Sequence, residues 1–143
     1  MDTTPIVARL SVIADSVSAL QDMQEVALEE FVADDILHTA AEHYFQVAIQ
    51  AALDIGGMLL AVRSVKVPQG YAEIFPALAE AGVLPKDFAD ELVGMAKLRN
   101  VLVHMYLQVD LGLMYSYLQN KVGDFERFVV YVGEFLTSIG PEK

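Results

Sequence analysis

In the stretch KLRNVLVHMY, residues 97–106, four side chains able to do chemistry stand close together: Arg99, Asn100, His104 and Tyr106. Arginine carries a lasting charge and a planar fork of donors that suits anions. Histidine moves protons near neutral pH. Asparagine both donates and accepts, and tyrosine offers a hydroxyl. From pattern alone the group has three readings: a solvated helix face, a satisfied core, or a catalytic group.

On an ideal helix with Arg99 at zero, Leu98, Leu102 and Met105 fall near roughly −100°, −60° and −120°. They form an apolar stripe that faces a bundle. Tyr106 lies beside Arg99, near about −20°, whereas Asn100 and His104 lie near about 100° and 140°. Arg99 and His104 thus diverge by roughly 140°, and one copy of the helix makes a poor compact site. Two copies about a two-fold axis bring each Arg99 and His104 to face the other pair.

The elements that must position this helix are readable from apolar spacing and helix breakers. Ile6, Leu10, Ile13, Val17 and Leu20 predict a helix over 5–26. Residues 29–64 read as one long helix with few breakers before Gly56 and Gly57, followed by a loop at VKVPQG. A short helix over 71–81 carries an awkward Pro76 and has Gly82 as its C-terminal cap. PKDFADEL opens the motif helix, which runs to about Tyr106. Asp110 caps a last helix over 111–138. The expectation is an all-α protein: a four-to-five-helix up-and-down bundle in one domain, 1–143, dimerising through the motif-bearing helix.

Composition narrows the function. Without cysteine there are no disulfides and no zinc–thiolate sites, which fits a reducing cytoplasm. MDTTPIVARL is not a signal peptide, and VAIQAALDIGGMLLAV, broken by Gln50 and Asp54, reads as a buried helix rather than a membrane span. A net charge of −11 argues against an extended nucleic-acid surface, so DNA is not expected. It leaves room for a local site handling one phosphate, and suits a basic protein partner.

Three segments in order, AEHYFQVAIQAALDIGGMLL, QGYAEIFPALAEAGVLP and LRNVLVHMYLQVD, resemble the HEPN-domain proteins of the HepT type. The resemblance spans about 5–138, and the spacing Arg-x4-His-x-Tyr is the signature of that family. It implies a metal-independent endoribonuclease toxin without a cofactor, acting as a homodimer on tRNA or mRNA and paired with a minimal nucleotidyltransferase antitoxin. In such chemistry a ribose 2′-OH attacks the adjacent phosphate. His104 then moves protons, Arg99 stabilises charge, and Asn100 orients His104 or binds a phosphate oxygen. Tyr106 is implied to accept AMP from the antitoxin, which silences the toxin. The alternative is a non-catalytic nucleotide- or protein-binding subunit of a nucleotidyltransferase.

Glu42, Gln46, Gln50 and Asp54 make a polar line, four apart, inside the apolar second helix. Buried carboxylates need partners, so Asp54 or Glu42 can hold Arg99 or His104 from behind. An ordinary solvent or interface stripe is the competing reading. His38, Glu42 and His43 lack the spacing of a zinc or di-iron site, and no metal is expected. No nucleophile elbow is present.

Overall fold

The segment Asp35–Val62 is apolar on nearly every side, and such a helix is stable only when others surround it. The computed structural model describes residues 2–104 and 109–140. Around α3, Asp35–Val62, stand α1, Thr4–Gln21; α2, Leu28–Ala33; α4, Ile74–Glu80; α5, Lys86–His104; α6, Leu111–Asn120; and α7, Val122–Ser138. A 3-10 turn, Tyr71–Glu73, leads into α4. The all-α expectation holds, with no strand among the described residues.

One hydrophobic cluster takes residues from Ile6 to Phe135, and α3 supplies its centre through Phe45, Ile49, Leu53, Ile55, Leu59 and Leu60. By length and hydropathy α3 could cross a bilayer, but 56% of its most apolar stretch is buried in the molecule, as in a core helix. Gly56 lies inside α3, not at its end. A Cβ there would stand 2.7 Å from Ile74 Cγ2, so the missing side chain lets α4 dock closely.

Two long helices of the sequence reading are each two helices. The span 29–64 breaks at Asp34, whose extended backbone turns its carboxylate onto the Leu37 N–H at 3.0 Å. Asp34 therefore ends α2 and caps α3. The span 111–138 breaks at Lys121. Asp110 caps α6 as the sequence suggests, accepting from Leu113 N–H at 3.0 Å. The first helix ends at Gln21 rather than 26, and short turns continue the chain. Pro76 is harmless because it sits in the first turn of α4, where a backbone N–H has no partner within the helix.

The ends of α3 and α4 share one geometry. Val65 N–H bonds Leu60 C=O at 2.9 Å and Ser64 N–H bonds Ala61 C=O at 3.0 Å. Val83 and Gly82 bond Leu78 and Ala79 in the same way, at 2.9 and 3.1 Å. Both are closures through a left-handed residue, with φ 58° at Ser64 and 80° at Gly82. Glycine suits that conformation and serine does not. Ser64→Gly is expected to stabilise the protein by about 0.5–1 kcal/mol, and Gly82→Ala to destabilise it by about 1 kcal/mol. Urea midpoints moving in opposite directions at unchanged slope are the check.

Candidate functional site

α5 buries Met95, Ala96, Leu98 and Leu102, which turns Arg99 and Asn100 toward the half-buried border between α5 and α3. There Arg99 meets the polar line of α3. Arg99 Nε donates to Gln50 Oε1 at 2.8 Å, and Nη1 donates to Asn100 Oδ1 at 3.2 Å. The guanidinium carbon lies 4.3 Å from the centre of the Tyr71 ring, a cation–π contact from the 3-10 turn.

The network continues behind Gln50. Its Nε2 donates to Asp54 Oδ1 at 2.9 Å, one turn along α3. Asp54 Oδ2 accepts from Arg9 Nε of α1 at 3.3 Å, and Arg9 Nη1 donates to Pro5 C=O at 3.1 Å. Arg9, Asp54, Gln50, Arg99 and Asn100 thus form one chain of hydrogen bonds across three helices. A cavity of about 460 Å³ opens beside it between α1 and α3, with Arg9, Gln46, Gln50 and Asp54 on its wall.

Asp54 reaches Arg99 only through Gln50, not directly. Glu42 is placed elsewhere. Its Oε2 pairs with His38 Nδ1 at 2.9 Å, while His38 Nε2 meets Asp35 Oδ1 at 3.2 Å. His104 is exposed and stands in the last described turn of α5, about 7.5 Å along the axis from Arg99. Tyr106 lies outside the described residues.

The site can grip and orient an anion. Arginine has five N–H donors. The bonds to Gln50 and Asn100 take two of them. Asn100 accepts from Arg99 through its Oδ1 at 3.2 Å, and its amide NH2 is a donor in addition.

The profile of one protein family, ribonuclease HepT-like, matches residues 13–132. An mRNA nuclease HepT of Shewanella oneidensis is 27% identical over 100 residues, which is 70% of this chain and 75% of that one. A tRNA nuclease HepT of Aphanizomenon flos-aquae is 23% identical over 139 residues, covering 96% and 93% of the two chains. Among solved structures, a tri-AMPylated Shewanella oneidensis HEPN toxin in complex with MNT antitoxin superposes with a TM-score of 0.84. It is 23% identical, covers 94% of this chain and 99% of that one, and shows the shared fold.

Sequence reasoning singled out the polar line but assigned no role to Gln50, Arg9 or Tyr71. The signal for Gln50 was its place one turn before Asp54 in an apolar helix. Arg9 gave no signal, because its partner is 45 residues away. The Glu42 pair has its own consequence. Burial pulls the His38 imidazole down, but its bonds to Glu42 and Asp35 outweigh burial, and its pKa stands above the ordinary 6.5. The folded state thus binds that proton more tightly than the unfolded state. Its stabilising effect is complete below the unfolded value and is lost as pH rises through the folded one. His38→Gln should therefore destabilise more at about pH 5.5 than at about pH 8, by a few tenths of a kcal/mol up to about 1. Paired denaturant titrations measure the difference.

Proposed function

The chain belongs to the ribonuclease HepT-like family, and from that premise we propose that it is an endoribonuclease toxin acting on tRNA or mRNA. The observation that carries the reading is Arg99, held by Gln50, Asn100 and Tyr71 on the same helix as His104. The nuclease names of the curated relatives support it. In this reading residues 1–143 form a single HEPN-like domain that works in the cytoplasm as a homodimer.

The 2′-oxygen of a ribose attacks the adjacent phosphorus, the new P–O bond forms, and the bond to the 5′-oxygen breaks. His104 takes the proton from the 2′-hydroxyl, and His104 of the second copy returns one to the leaving 5′-oxygen. Arg99 binds the non-bridging oxygens as charge gathers on them. Asn100 steadies Arg99, and Asp54 acts on it from behind, whereas Glu42 serves its pair with His38. Because acid–base and electrostatic roles are filled by side chains, the reaction needs no metal. The divergence of Arg99 and His104 on α5 supports pairing of two copies through that helix.

Regulation follows the same site. We place AMP addition on Tyr106, two residues past His104, by a minimal nucleotidyltransferase antitoxin. A bulky anion beside Arg99 occupies the phosphate position. A structural neighbour that carries AMP and stands in complex with its antitoxin supports this arrangement. The net charge of −11 favours one alternative, a non-catalytic accessory subunit of the nucleotidyltransferase.

Cleavage of tRNA and mRNA in EDTA decides between them. Wild-type protein should cut, Arg99→Ala should lose about 10²–10³-fold, and His104→Ala about 10²–10⁴-fold. With the antitoxin and ATP, Tyr106→Phe should take up no AMP at that position by mass spectrometry. A wild-type protein that cuts neither RNA while carrying no AMP leaves the accessory reading in its place.

A further inference from the structure

Arg99 has two demands on it. It must be held still, and it must keep its charge for an anion. A carboxylate bonded straight to the guanidinium would meet the first demand and weaken the second. The sequence offers that solution, with Asp54 on the facing helix, and the fold does not use it. A neutral amide stands between them, accepting from Arg99 Nε at 2.8 Å and donating to Asp54 at 2.9 Å.

The order of these bonds matters. A side-chain amide is an acceptor at one end and a donor at the other. Flipped, Gln50 would aim its NH2 at the Arg99 donor and its oxygen at the Asp54 carboxylate, and both contacts would repel. Asp54 thus fixes which end of the amide Arg99 meets. The carboxylate charge is in turn matched by Arg9 Nε at 3.3 Å. Arg99 receives an oriented dipole rather than a countercharge.

Resting on the ribonuclease reading of this site, we propose that Gln50 is a positioning residue. Locked in one amide orientation by Asp54, with Arg9 balancing that carboxylate, it aims the Arg99 guanidinium at a phosphate oxygen and leaves its charge available.

The test follows Arg99 itself. In 15N-labelled homodimer the Arg99 Nε–H should exchange slowly with solvent, and Gln50→Leu should abolish that protection. The same variant should lower kcat for RNA cleavage by about 10–100-fold, as a displaced positioning contact does, with KM moving much less. Asp54→Leu should act in the same direction. Asp54→Asn, which keeps an acceptor for the Gln50 amide, should lose less than Asp54→Leu in both readouts. In an Arg99→Lys background, Gln50→Leu should cost little more, because its effect passes through the guanidinium.

Unchanged Nε–H protection in Gln50→Leu overturns the proposal. So does an equal loss of kcat in both backgrounds, which marks a merely structural role. A wild-type protein that cuts no RNA removes the ribonuclease reading instead, and Nε–H exchange still decides whether Gln50 and Asp54 hold Arg99.

Discussion

The 2.8 Å hydrogen bond from Arg99 to Gln50 joins α5 to the central helix, and the geometry of the site depends on it. Each end stands on a rigid support. Gln50 is flanked on α3 by Ile49, Ala51, Ala52 and Leu53, all buried. Arg99 follows Ala96 and Leu98, also buried. A close-packed core resists small displacements, so a bond between two such anchored helices varies little in length or angle. Orientation of a half-buried cation is thereby set by core packing that never touches it.

The third contact on Arg99 arrives by a longer route. Tyr71 belongs to the 3-10 turn that runs directly into α4, and α4 docks where Gly56 leaves room for Ile74 and Leu78. The absence of one side chain in α3 therefore bears on where an aromatic face meets the guanidinium 4.3 Å away. The closure at Gly82 then redirects the chain, and α5 starts a few residues later. Small residues and one left-handed glycine, none of them reactive, bring Tyr71, Gln50 and Arg99 to one place.

Local features explain what the sequence revealed. Asp110 and Gly82 act through bonds to residues within a few positions, so their roles are written next to them. The apolar stripe Leu98 and Leu102 fixes the face of α5 that turns inward, and hence the direction of Arg99. The break at Lys121 was hidden for a physical reason. The buried positions Met114, Leu118, Val122, Phe125, Phe128, Val132 and Phe135 keep helical spacing across it, and the one glycine at the junction, Gly123, falls inside the first turn of α7 rather than at the break. The break at Asp34 was marked by a capping residue inside an otherwise unbroken pattern. The partnership of Asp54 was half legible. Its spacing from Gln50 placed both on one face, but only tertiary structure put the amide, rather than the carboxylate, against Arg99.

The acidity of the chain and the care taken over one arginine belong together. Affinity for RNA driven by phosphate contacts grows with the number of lysines and arginines that displace counterions. A protein with nine basic and twenty acidic residues has little of that to offer. Under the proposed function it gains from a few well-placed contacts rather than a broad basic surface. Where cations are few, each is worth most when it is already aimed and uncancelled, because no reorganisation is then needed as charge develops. Placing the Asp54 carboxylate behind an amide, with its own arginine to balance it, satisfies that condition in a chain whose overall charge works against it.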